Sequence, residues 1–119
     1  MSNVQIFGVK GSQATRAADR FFKERRIPIQ FVDLARQPMA PGEIKRFIDR
    51  FGLMDLVDRD GKSYEAGGLK YMKLSDGELL ARIERDPKLL RLPLVRFGNQ
   101  LSIGHSENAW KEMLPRTTP

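Results

Sequence analysis

The sequence predicts a single α/β domain, and three observations support this prediction. The chain has 119 residues, of which 40% are hydrophobic, and this is enough for one core but too little for two domains. Short runs in which polar and apolar residues alternate, as in strands, are interspersed with runs whose apolar residues recur at helical spacing. The chain contains no cysteine, so disulfides and thiolate metal sites play no part in the fold. The predicted order is β-α-β, a helical insert at about 41–90, and β-β-α.

The first third of the chain predicts a strand, a helix and a second strand. Residues 4–7 alternate in polarity and lead into Gly8, which indicates a strand that ends at a glycine-containing loop. From Ser12, a natural N-cap, alanine and phenylalanine residues recur at helical spacing. Pro28 disfavours the helical conformation in the residue before it, and residues 29–34 then predict a strand. A strand, a helix and a strand in this order form a right-handed parallel unit.

The middle of the chain predicts helices. Pro41 opens a helix that carries isoleucine and phenylalanine on one face, and Gly52 closes it. The residues from there to Leu74 are interrupted by glycines, and only one short helix is expected among them, around residues 63–66. Ser75 and Glu78 form a capping box in front of a further helix. These helices make up the insert at 41–90.

The last third predicts a hairpin and a helix. Residues 93–97 and 100–103 alternate in polarity around Gly98-Asn99, which is typical of a tight antiparallel turn. Ser106 then caps a helix whose apolar residues, Trp110 among them, face the core. The whole order resembles a thioredoxin-like fold with a helical insert. Another small α/β sandwich with the same order of elements fits the periodicity equally well.

Charge and hydropathy argue against several classes of function. The formal net charge is +6, but the 21 basic residues are scattered among 15 acidic ones, and the phenylalanines recur at core spacing rather than beside the charges. Direct nucleic-acid binding is therefore disfavoured. No stretch reaches the roughly 18 apolar residues of a membrane helix, and the N-terminus lacks the pattern of a secretory signal. We expect a cytoplasmic protein without membrane contact.

Five motifs along the chain carry a resemblance to a known family. They are Ile6-Phe7 before a loop, Thr15-Arg16 at a helix start, the run from Phe21-Phe22 to Ile27-Pro28, residues 58–64, and the Pro93 hairpin that ends in Ile103-Gly104. In this order and at this spacing, they resemble the arsenate reductase (ArsC) and Spx family across almost all of residues 1–119. The resemblance implies a thioredoxin-like, glutaredoxin-like fold and, as in Spx, action by contact with RNA polymerase.

The resemblance also shows where the family's thiol chemistry is missing. The nucleophilic cysteine of the family falls at Ser12, and the second cysteine of Spx-like members falls at Thr15. The family's arginine before the strand proline falls at Leu92, with Arg91 one residue earlier. A helix N-terminus activates a cysteine by lowering its thiol pKa from about 8.5, whereas a serine hydroxyl gains nothing comparable. The chain is identified as a branch of the family without the catalytic cysteine.

The candidate ligand-binding residues surround the first loop. Lys10, Gly11 and Ser12 offer backbone donors, a lysine and a hydroxyl, which together suit an oxyanion or a carboxylate. In the alternative interpretation, Ser12 only caps the helix and Gly11 only permits the turn. The resemblance adds the remaining candidates, which are Thr15, Arg16, Arg59, Arg91 and Pro93. It implies a shallow cationic pocket shared by the three arginines and a cis bond before Pro93. A solvated or salt-bridged role is the alternative for each arginine alone.

Two functions remain open. In the first, the chain is a binding or regulatory protein without thiol redox activity, and it contacts a protein partner. In the second, it is an arsenate reductase-like enzyme, or a protein that binds an oxyanion or glutathione in the loop pocket at Ser12. His105 is the only histidine, and the acidic residues lack ligand spacing, so we predict neither a metal site nor a cofactor.

Overall fold

The sheet is the centre of the fold. The computed structural model describes residues 3–114, and within them four strands form one mixed sheet in the order β2-β1-β3-β4. The strands are β1 (Val4–Gly8), β2 (Ile29–Asp33), β3 (Leu94–Phe97) and β4 (Gln100–Ile103). β1 pairs in parallel with β2 and antiparallel with β3, and β3 forms a hairpin with β4. The four predicted strands and their order along the chain are confirmed.

Helices cover the sheet in the described part of the chain. They are α1 (Gln13–Glu24), α2 (Pro41–Phe51), α3 (Leu53–Leu56), α4 (Lys62–Ala66), α5 (Asp76–Arg85) and α6 (Glu107–Met113), with 3₁₀ turns at Leu69–Tyr71 and Pro87–Leu89. The sequence did not predict α3, because four residues between glycine-rich stretches are too few to show a helical period. Among residues 3–114, no helix has the length and apolar character needed to cross a bilayer.

One face of the sheet is covered by α1 and α6. Val4 and Ile6 of β1 and Val95 of β3 are fully buried on this face. Their partners on the two helices are also buried, and these are Ala18, Phe21, Phe22, Trp110 and Met113. Burial of large apolar side chains contributes about 1.5–3 kcal/mol each, so this layer fixes α1 firmly against the sheet.

The helical insert covers the other face. Phe7 of β1 packs edge-on against Phe47 of α2, with ring centroids 6.1 Å apart. Arg96 of β3 places its Nε 3.2 Å from Oε2 of Glu43 in the first turn of α2, and only about a fifth of each side chain is exposed (22% and 23%). The same Nε donates to Gln5 Oε1 at 3.0 Å. An apolar contact and a partly buried ion pair therefore join the insert to the sheet.

Backbone hydrogen bonds close off the later part of the insert, residues 59–88, at a neck that we define as residues 56–58 and 89–91. The Arg91 N–H donates to Leu56 O at 2.7 Å, and the Asp58 N–H donates to Leu89 O at 2.7 Å. Between them, Val57 and Leu90 form an antiparallel bridge. This neck holds the chain that enters β3 beside the end of α3.

Candidate functional site

Ser12 lies at the start of α1 as its N-cap. Its Oγ accepts a hydrogen bond from the Thr15 N–H at 3.1 Å, and its extended backbone (φ −80°, ψ 122°) has the geometry of a capping residue. Its carbonyl accepts from the Arg16 N–H, also at 3.1 Å. The Ser12 side chain thus satisfies one free N–H group of the helix start, as the alternative interpretation of Ser12 predicted, and its match to the family's cysteine position stays a prediction.

Thr15 is buried between α1 and β1. Its side chain is 2% exposed and lies against Gly8, where an added Cβ would come within 2.6 Å of Thr15 Cγ2 and closer still to Oγ1. Oγ1 has no hydrogen-bond partner among residues 3–114. Thr15, which the resemblance aligns with the second Spx cysteine, therefore fills space in the core and has almost no surface for a ligand.

Lys10 and Gly11 remain open to solvent. Both residues are exposed, and a Cβ added at Gly11 would meet no atom within 4 Å. The turn that holds them is closed by the Ser12 N–H, which donates to Val9 O at 3.1 Å. Lys10 and Gly11 are therefore the accessible residues of the predicted loop site.

Pro93 and Arg91 lie at the entry to β3. The Leu92-Pro93 bond is cis, as predicted, and Pro93 is fully buried. The carbonyls of Arg91 and Pro93 both accept from the Gly104 N–H, at 2.9 and 3.0 Å. Arg91 Nη1 donates to Asp55 O at 3.3 Å, so its guanidinium links the entry to β3 to α3. This gives Arg91 a structural contact in addition to its exposed surface.

Arg16 and Arg59 line two different cavities. Arg16 lies in an open cleft on the outer side of α1, with a volume of about 740 Å³. Arg59 lies in a cavity of about 330 Å³ within the insert, beside Tyr64 and Tyr71. The two cavities share no lining residue, and neither is lined by Ser12 or Arg91. A shallow pocket shared by Arg16, Arg59 and Arg91 stays a prediction.

His105 is the residue that sequence reasoning missed at this end of the molecule. Its ring stacks on Trp110 with centroids 5.2 Å apart and an interplanar angle of 20°, and its Nε2 lies 3.7 Å from Glu107 Oε2. His105 forms one wall of the cleft that also contains Arg16. The sequence placed His105 in a loop after β4, but only tertiary packing brings that loop to α1.

A further cavity lies within the insert and was not predicted. It has a volume of about 290 Å³, lies between α2 and α5, and is mainly apolar, with Lys45 and Glu84 as its charged lining residues. Lys45 is already paired with Asp49, Nζ to Oδ2, at 2.7 Å. This groove supplies apolar surface without a defined polar anchor.

The titratable side chains bear on metal binding and on helix stability. Among residues 3–114, no three histidine, aspartate or glutamate side chains come together in a way that could hold a metal ion. The pKa of Glu78 is lowered, first because the Ser75 N–H donates to its carboxylate and then because of the Ser75 side chain. Glu78 belongs to the capping box of α5, so this shift concerns helix stability rather than a reaction.

Sequence comparison shows which known proteins the chain is similar to. A model of the ArsC family matches residues 7–113. The chain is similar to the global transcriptional regulator Spx 2 of Oceanobacillus iheyensis, with 26% identity over 117 residues, which cover 97% of this chain and 86% of that protein. It is also similar to the global transcriptional regulator Spx of Lactiplantibacillus plantarum, with 24% identity over 115 residues, which cover 95% and 87%.

Comparison with solved structures identifies proteins with a similar fold. A protein described as YffB (PA3664) superposes with a TM-score of 0.82 at 15% identity, covering 95% of this chain and 100% of that one. An arsenate reductase from Vibrio cholerae gives a TM-score of 0.74 at 23% identity, covering 95% and 98%. These matches confirm the thioredoxin-like fold. The family model spans nearly all of the described residues, and the chain contains no cysteine. The chain therefore belongs to the ArsC family, in a branch that lacks the catalytic cysteine.

Proposed function

We propose that residues 1–119 form a one-domain regulatory protein that acts by binding a protein partner and performs no thiol redox step. The observation that carries this proposal is the state of the two family cysteine positions. Ser12 caps α1 with its hydroxyl, and Thr15 is buried against Gly8. Both positions therefore serve the fold instead of a reaction.

The chemistry of the side chains supports the same proposal. Thiol–disulfide exchange needs a sulfur nucleophile, and the chain has no cysteine to provide one. A serine nucleophile would need an adjacent general base. Among residues 3–114, no hydrogen bond joins Ser12 to His105, whose ring is stacked on Trp110 instead. The loop thus lacks the partner that would activate its hydroxyl.

The insert offers a surface for a protein partner. The large hydrophobic side chains that stand exposed on the described chain are Met54, Tyr71 and Met72, and all three lie in the insert. Tyr71 is 87% exposed. Exposed apolar groups mark interaction sites when they occur together, and tyrosine is enriched among residues that dominate binding energy. Because the similar Spx proteins are named global transcriptional regulators, RNA polymerase is the first partner to test.

A binding assay with a matched activity assay tests the proposal. RNA polymerase purified from the organism that encodes this chain is immobilised, and binding is measured by interferometry. We expect saturable binding that Tyr71→Ala weakens about tenfold or more. Ser12→Ala serves as the control and should bind with unchanged affinity. Failure to bind the polymerase, or reduction of arsenate above the protein-free rate with glutathione and glutaredoxin, would overturn the proposal.

A second candidate is a small-ligand function at the loop, either an arsenate reductase-like activity or binding of an oxyanion or glutathione. The observation that favours it is the open surface at Lys10 and Gly11. Titration of arsenate, phosphate and glutathione, followed by the amide resonances of residues 10–16, tests it. This candidate requires saturable shifts centred on residues 10–12, and an unchanged spectrum at millimolar ligand contradicts it.

A further inference from the structure

The cleft on the outer side of α1 collects positive charge from two parts of the chain. Arg16 and Arg20 lie one helical turn apart on α1, and His105 comes from the loop after β4. The other lining residues are uncharged, and these are Gln13, Ala14 and Ala17. The lining therefore contains two permanent positive charges and one histidine, with no carboxylate among them.

The nearby carboxylates leave these arginines uncompensated. Asp19 pairs with Lys23, with Oδ2 and Nζ 3.3 Å apart. Glu107 lies 3.7 Å from His105 Nε2, but it does not line the cleft. Within the described residues, neither Arg16 nor Arg20 belongs to an ion pair. Both guanidinium groups are exposed and available to an external anion.

The geometry indicates which kind of anion fits. A guanidinium group presents its N–H donors in a planar fork that matches the oxygens of phosphate, and such bidentate contacts are stronger than those of a lysine. Two arginines at positions i and i+4 have Cβ atoms about 5–6 Å apart, so they can each hold one of two neighbouring phosphates. The cleft, at about 740 Å³, is open and has room for more than a single phosphate. Stacking on Trp110 holds the His105 ring in the lining of the cleft.

We infer that Arg16, Arg20 and His105 form a binding site for two adjacent phosphate groups. The phosphates come either from a small molecule, such as pyrophosphate or a nucleotide, or from a nucleic-acid strand. This site differs from the loop at Lys10 and Gly11, and it stands independently of the proposed protein partner. The polymerase assay can therefore fail while this site remains, and the reverse is equally true.

Titration with two probes tests the inference. Inorganic pyrophosphate and a short single-stranded oligonucleotide are each added to the full chain, and amide resonances are followed. We expect saturable shifts at residues 13–20 and at His105. The double variant Arg16→Gln/Arg20→Gln should weaken binding about tenfold or more, because charge-assisted hydrogen bonds are lost. The control is Arg36→Gln/Arg85→Gln, which removes the same charge from exposed positions outside the cleft and should leave the affinity nearly unchanged.

Each outcome of the titration either supports or overturns the inference. Binding of pyrophosphate in the cleft supports the inference and identifies a small-molecule source. Binding of the oligonucleotide alone, with the same dependence on Arg16 and Arg20, supports it and identifies a nucleic-acid source. The inference is overturned if neither probe gives saturable shifts, if the control variant weakens binding as much as the cleft variant, or if the shifts centre on residues 10–12.

Discussion

The starts of α1 and α5 use the same cap in different surroundings. Ser12 Oγ accepts from the Thr15 N–H at 3.1 Å, and Ser75 Oγ accepts from the Glu78 N–H at 3.2 Å. In α5, Glu78 returns the interaction by accepting from the Ser75 N–H at 2.9 Å, on the surface. In α1, the equivalent residue is Thr15, which is buried in the core.

The two helix starts therefore share one cap and differ in what surrounds the third helical residue. The resemblance places Ser12 at the family's nucleophile, and this serine makes the same hydrogen bond as Ser75 in the insert. What distinguishes α1 is the residue three positions later, which locks the helix start to β1 through Gly8. The predictions below test this comparison by perturbing matched positions at the two helix starts.

The largest effect is expected at the two glycines. Gly8→Ala should lower the free energy of unfolding by about 2–3 kcal/mol, because the new methyl group collides with Thr15 in a packed core. Gly77→Ala in the first turn of α5 is the matched control. A Cβ there meets nothing within 4 Å, so the variant should be stabilised by up to about 1 kcal/mol. Urea unfolding measures both changes.

A double variant makes this prediction sharper. Thr15→Ala removes the two atoms that the new methyl group meets first, so Gly8→Ala should cost clearly less in that background. Equal costs of Gly8→Ala in both backgrounds would show that Thr15 is not what locks the start of α1.

The next effect concerns the caps themselves. Ser12→Ala and Ser75→Ala should each lower the free energy of unfolding by about 1 kcal/mol, because each leaves a helix N–H without its acceptor. Replacement of either serine by aspartate keeps an acceptor and should restore most of the loss. Thermal or urea unfolding gives the comparison. The two caps would not be equivalent if Ser75→Ala lowered the free energy of unfolding and Ser12→Ala left it unchanged.

A smaller gain is expected from Thr15→Val. The change keeps the branched shape that fills the space beside Gly8, and it removes a buried hydroxyl without a hydrogen-bond partner among residues 3–114. The free energy of unfolding should stay the same or rise by up to about 1 kcal/mol, since an unsatisfied polar group is costly to bury. Thr15→Ser is the control, because it keeps the hydroxyl and loses the methyl group. Destabilisation by Thr15→Val beyond that of Thr15→Ser would mean that the hydroxyl has a partner.

The smallest effect is a pH dependence confined to α5. The pKa of Glu78 is below its ordinary value of 4.5 in the folded chain, so its contribution is present above that value and is lost as pH falls toward the folded pKa. Glu78→Gln keeps an oxygen acceptor but does not titrate. Melting temperatures measured from pH 7 to acid should therefore converge for the two proteins below the ordinary pKa. Parallel curves would contradict the prediction.

Local signals in the sequence predicted much of this structure. The cap at Ser12, the capping box at Ser75 and the turn at Gly98-Asn99 depend on residues close in the chain, and all three are present. The contact of Thr15 with Gly8 and the meeting of His105 with α1 depend on how the sheet packs, and no local pattern contains that information. The sequence therefore predicted the cap in the loop of the candidate site, whereas the tertiary contacts around that loop could not be predicted.

The neck of the insert has a consequence for the evolution of the exposed surface around Tyr71. Two short hydrogen bonds, which together make the Val57–Leu90 bridge, close residues 56–58 onto 89–91, so the ends of the intervening segment are held together. Because the closure cost of a loop grows only slowly with its length, such a segment tolerates changes in length and composition. Exchange of this segment between relatives would transfer the exposed Tyr71 region as a unit and leave the β-strands in register.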